Sequence, residues 1–183
     1  TGPTAQSGPS CKPRKQFLMT LFATIYVVCG RVNFTNLSRY SELSERTYRR
    51  HFDKPYAFMG LNQETIALAI KARHFQVGAI DASFIPKSGQ ATYGLAYFHN
   101  GKASRSERGL EISMIAIVDV ESSIGYTLSV QQTPVIEAGS EQTRVDAYLD
   151  HLRHTVSAFP TAVRHLVGDG FYSKRKWVDG VVD

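Results

Sequence analysis

The rhythm of apolar and polar positions changes near residue 76. Upstream of it the pattern is helical. Phe17–Cys29 is a mostly apolar run of thirteen residues, shorter than the roughly 20 that a membrane-spanning helix needs, and it is predicted as a buried helix. The basic residues Lys12, Arg14 and Lys15 precede it in the order of a secretory signal, but Val27-Val28-Cys29-Gly30-Arg31 makes a poor cleavage site. Three helix starts follow, with Asn33, Ser44 and Asn62 as N-caps. Each is framed by an apolar residue before the cap and another at the fourth helical position: Val32/Leu37, Leu43/Tyr48 and Leu61/Ile66. The short link around Tyr40-Ser41-Glu42 makes the first two a helix-turn-helix. Within Ser44–Phe52, Tyr48 and Phe52 are expected to point inward. That leaves Arg46, Arg49 and Arg50 on the free side, where guanidiniums suit phosphate oxygens and guanine edges. A solvated basic face is the plainer alternative.

Downstream the rhythm is that of strands. Gln76–Ile85 is almost wholly apolar, as in a central strand buried on both faces, yet Asp81 stands within it. Glu111–Val120 and Ile124–Gln131 read as a hairpin through Glu121-Ser122-Ser123, so Glu111, Asp119 and Glu121 are taken as edge or turn carboxylates rather than metal ligands. Thr143–Val156 is an amphipathic helix on which Val145, Tyr148, Leu149, Leu152 and Val156 share a face. His151 and His154, three apart, are expected to face solvent. Val163–Val167 is a short strand delivering Gly168-Asp169-Gly170, and Ser173 caps a helix running through Lys174 to Trp177.

If the amphipathic helix returns the chain to a strand parallel to the first, Asp81 and Asp169 meet at one end of the sheet. Two carboxylates that close need a cation between them. Hard oxygen ligands in a cleft suit Mg²⁺ or Mn²⁺, which activate a hydroxyl for attack on a phosphodiester. The fold class is therefore α/β of the α+β kind, a mixed sheet with flanking helices behind a small helical module. Residues 1–14 are expected as a flexible lead, 15–75 as the helical module and 76–183 as the sheet domain. Residues 86–109 are taken as a long loop. Its Lys87, Tyr93, Tyr97, Phe98, Lys102, Arg105 and Arg108 suit either a grip on nucleic acid or a small aromatic surface cluster.

Composition adds a constraint and an asymmetry. The 183 residues are 43% apolar, ordinary for a globular chain, and the two cysteines, Cys11 and Cys29, exclude a disulfide framework or a zinc ribbon. Residues 1–75 hold eleven Lys and Arg against four acids, whereas residues 76–183 hold ten against twelve. A basic front half fits a polyanionic partner, and the rear half carries the carboxylates.

The stretches AIDASFIPKSG (79–89), SERGLEISMIAIVDVESSIGYTLSVQQTP (106–134) and HLVGDGFYSKRKWVDGV (165–181) resemble bacterial insertion-sequence transposases of the DDE superfamily, over most of residues 15–183. The resemblance implies an RNase H-like catalytic core with Asp81 and Asp169 as the first two metal-binding acids. It also implies metal-dependent cleavage of double-stranded DNA at element ends followed by strand transfer, a homodimer on the DNA, and a cytoplasmic, nucleoid-associated protein with no membrane part. The helical module would hold DNA through Arg46, Arg49 and Arg50, with Lys87 and Lys174 as further phosphate contacts. The third acid of such enzymes lies downstream of the second. Asp179 and Asp183 match no version of its motif, so that ligand is expected beyond Asp183 and the chain is expected to be a fragment. Rival readings are an inactive DNA-binding or regulatory remnant of a transposase, and a different RNase H-like nuclease.

Overall fold

The computed structural model describes residues 12–137 and 139–182. Cys11, Asp183 and the first eleven residues of the expected flexible lead lie outside the described residues. The chain divides into two compact units at Tyr56/Ala57.

The first unit holds α1 (Lys12–Val27), α2 (Phe34–Arg39) and α3 (Glu45–Phe52). At 16 residues α1 is too short to cross a bilayer, and no helix among the described residues is long and apolar enough to do so. Asn33 caps α2 by accepting from the Asn36 amide, and Ser44 caps α3 by accepting from the Thr47 amide, as the sequence pattern required. Phe17, Leu37 and Tyr48 form the buried centre, with Leu21, Phe34, Leu43 and Tyr56 around it. Phe52 is a correction: it is 73% exposed, and the inward position is taken by His51, which stacks on Phe17 at 4.0 Å and contacts the Tyr56 hydroxyl at 2.8 Å. Burial, helped by the positive charges of Lys54, Arg50 and Arg14, pushes the His51 imidazole below its ordinary pKa.

The second unit begins with α4 (Phe58–Ala69), which the sequence reading had counted with the helical module. Its Ile66 packs with Ile117 and Leu128 of the sheet. Asn62 is interior to this helix rather than its cap, and its side-chain amide donates to the Leu128 carbonyl. Then come β1 (Gln76–Pro86), β2 (Ala96–Asn100), β3 (Arg105–Asp119), β4 (Ile124–Gln132), α5 (Arg144–Thr155), β5 (Leu166–Val167) and α6 (Arg175–Val182). The expected loop 86–109 thus contains β2 and the first five residues of β3, which pair with each other from Ala96↔Gly109 to Asn100↔Arg105.

The sheet is mixed. β3 runs antiparallel to β1, β2 and β4, while β5 runs parallel to β1. A parallel neighbour requires a crossover, and α5 supplies it. Thr143 and Asp146 close a capping box at the start of α5, and Lys176 donates to Asp146 at 2.6 Å. Led by that Lys176 bond, these contacts hold the Asp146 carboxyl down at about 2.

Alternate residues of β3 face the helices: Ile115 packs in the cluster of Val145, Tyr148, Leu149 and Leu152 from α5, and Ile117 packs with Ile66 and Ile70. This face also carries Glu111, Ser113 and Asp119, all buried. The residues between them, Leu110, Ile112, Met114, Ala116 and Val118, are only half-buried.

Candidate metal and phosphate site

Parallel pairing of Gly78 with Leu166 and of Ala79 with Val167 sets a constant offset of 88 residues. Asp81 and Asp169 are separated by the same 88 residues, and the pairing itself ends at Val167. The two aspartates line one cavity of about 270 Å³. Asp81 is exposed rather than enclosed on a strand buried on both faces: it alternates with Ile80, which packs in the helix-side core, and so falls on the half-open side of the sheet with its cross-strand partner Met114. Each carboxylate takes one local amide. Asp81 Oδ1 accepts from Ala82 at 2.8 Å, and Asp169 Oδ1 accepts from Phe171 at 2.9 Å, capping the 3₁₀ turn Gly170–Ser173. Both Oδ2 atoms are without a hydrogen-bond donor among the described residues.

The glycine before Asp169 is required by packing. A Cβ on Gly168 would come within 2.9 Å of the Tyr172 ring, which folds back over the strand end. Tyr172 is 6% exposed and its hydroxyl has no partner among the described residues. Burial, then the negative charges of Asp81, Asp169 and Glu111, push the pKa of this phenol up. Three carboxylates therefore act on one buried hydroxyl in the wall of the cavity.

Glu111 is the residue that sequence reasoning placed wrongly. It is 5% exposed, accepts from the Tyr148 hydroxyl at 2.6 Å and pairs with Arg144 at 3.5 Å. Burial and the Glu111 carboxylate both raise the Tyr148 pKa. Arg144 also donates to the Tyr97 carbonyl at 3.3 Å and lies 5.0 Å over the Phe98 ring. Phe98 is buried and Tyr97 exposed, so the aromatic residues of the expected loop divide between wall and surface. His151 is a second correction. It is 2% exposed, with Nδ1 against Ser113 and Nε2 against Ser129, each at 2.9 Å; His154 faces solvent as expected.

Of the expected DNA-contact residues, Arg46 and Arg50 are exposed and have no acidic partner among the described residues, whereas Arg49 is held by Glu45 and lies 5.1 Å over the Phe34 ring. Lys87 is exposed beyond the end of β1. Lys174 is exposed with its Nζ 3.7 Å over the ring of Phe171, a cavity residue, which puts its charge at the rim. Asp179 pairs with Arg175 on α6 and takes no part in the cavity.

The residue set fits a hard divalent ion: two carboxylates lining one cavity, each with a free oxygen and open to solvent, beside an arginine and a lysine. Compared with known protein families and with curated proteins, the sequence gives no match.

Proposed function

We propose that the second unit belongs to an RNase H-like nuclease core of the DDE transposase type. In this reading Asp81 and Asp169 bind Mg²⁺ or Mn²⁺ and the protein cuts and joins DNA phosphodiesters at the ends of a mobile element. The observation that carries it is that Asp81 of β1 and Asp169, which follows the parallel strand β5, line the same cavity. A sheet in which β1 lies between antiparallel β3 and parallel β5 supports the same reading.

The chemistry assigned to the chain's own groups is limited. The free carboxylate oxygens take the ion, which when bound lowers the cost of making a nucleophilic oxygen and of charge on the leaving one. Arg144 and Lys174 offer positive charge to the non-bridging oxygens of a phosphate in the cavity. Glu111 holds Arg144 in place. In the first unit, Arg46 and Arg50 are free for the DNA backbone, while Arg49 is already committed to Glu45. The protein would act in the cytoplasm, as a homodimer on double-stranded DNA.

Mn²⁺ binding by calorimetry, together with metal-dependent nicking of supercoiled DNA, tests this. Asp81→Asn and Asp169→Asn are each expected to weaken Mn²⁺ binding at least tenfold and to abolish any nicking. Unchanged Mn²⁺ affinity in both variants refutes the assignment, and DNA binding without any metal site would favour the inactive remnant.

A further inference from the structure

A second group of ligating side chains stands at the other end of β1. His74 lies two residues before that strand, Asp119 ends β3 directly opposite Gln76, and Glu121 is in the β3–β4 turn. One ligand atom from each lies within 4.8 Å of the others. Asp81 is five residues further along β1, about 16 Å away at the rise of a strand, so this group is distinct from the aspartate pair.

The local bonding is already ordered. His74 Nδ1 is 2.8 and 3.0 Å from the two oxygens of Asp119, Ser122 donates to Asp119 from its hydroxyl and its amide, and the Phe75 amide donates to Glu121 Oε2 at 2.7 Å. Asp119 is 1% exposed. The imidazole is bonded to Asp119 alone, and no lysine or arginine pairs with Asp119 or Glu121 among the described residues. A buried carboxylate with that little positive charge nearby favours a cation. A second observation comes from Gln76, the cross-strand partner of Asp119. It is 6% exposed and its side-chain carbonyl oxygen has no donor among the described residues. An ion carrying bound water would supply one.

We propose that His74, Asp119 and Glu121 form a divalent-metal site for an ion of the Zn²⁺ class, which clips the segment before β1 to the β3–β4 hairpin. The imidazole nitrogen selects a borderline ion such as Zn²⁺ over Mg²⁺. Ligands about 2.1 Å from a tetrahedral Zn²⁺ lie about 3.4 Å apart. His74 and Asp119 must therefore open by about 0.6 Å from their 2.8 Å hydrogen bond as the shared proton gives way to the ion. Three protein ligands leave a fourth position for water. The role is structural: an ion bound only to the folded chain raises its stability by mass action.

The test uses the full chain carrying D81N and D169N, so that loss of the aspartate site does not affect the result. Calorimetric titration with Zn²⁺ and thermal melting are expected to show one ion per chain and a raised melting temperature. In the same background Glu121→Gln is expected to weaken binding at least tenfold while keeping an oxygen for the Phe75 amide, and His74→Ala is expected to abolish it. A melting temperature indifferent to Zn²⁺, or equal affinity in parent and Glu121→Gln, overturns the proposal and leaves a hydrogen-bonded clamp. Failure of Mn²⁺ at Asp81 and Asp169 is a separate result, read in a chain with those residues intact.

Discussion

His151 has both ring nitrogens occupied by serine hydroxyls and almost no solvent contact. Burial, then the neighbouring charge of His154, pushes its pKa from 6.5 to about 4. The sign follows from which state takes the proton. Above pH 6.5 the ring is neutral both folded and unfolded. As pH falls from 6.5 to about 4 the unfolded chain is protonated and the folded chain is not, so stability declines through that window and this residue's effect levels off below it. At about 1.4 kcal/mol per unit, the loss is about 3 kcal/mol. Chemical denaturation at pH 7, 6, 5 and 4 checks it: His151→Asn is expected to flatten the decline relative to the parent. Equal pH slopes in the two proteins would show that the sensitivity lies elsewhere.

Among the elements, β3 is the one on which the others are built. At Gly109 it pairs with β1 through Pro86 and with β2 through Ala96. A Cβ there would sit 2.4 Å from the Ile85 carbonyl oxygen and from the Phe84 ring. Gly109→Ala is expected to cost about 1–3 kcal/mol, read as a lowered urea midpoint with an unchanged m-value. The strands around it were legible in part. β1 and β4 fell within a residue of their expected ends, because apolar runs bounded by turn residues mark strands whatever they face. The start of β3 was missed, since Arg105-Ser106-Glu107-Arg108 has no apolar alternation to announce it. The parallel docking of β5 beside β1 was also legible, because a single crossover fixes it. The burial of Glu111, His151 and Asp119 was not. Each is a polar residue paid for by a partner distant in sequence: Tyr148, Ser113 with Ser129, and His74.

For the whole molecule, each unit encloses its own apolar centre. Phe17, Leu37 and Tyr48 serve the first, while the clusters around Ile115 and Ile117 serve the second. A chain starting at Ala57 is therefore expected to fold without the helical unit, giving a cooperative melt and a dispersed NMR spectrum. A broad, non-cooperative transition would show that the sheet depends on residues upstream of the division.

The most telling feature of β3 is that its greasier side is the one left half open. Laid down one residue out of step, the strand would hide Leu110, Ile112, Met114, Ala116 and Val118 and turn Glu111, Ser113 and Asp119 toward water. Oiliness alone would choose that mistake. The polar handshakes with Tyr148, His151 and His74 act as a key that only the correct alignment can turn, so the strand's fidelity depends on hydrogen bonds made by residues far along the chain.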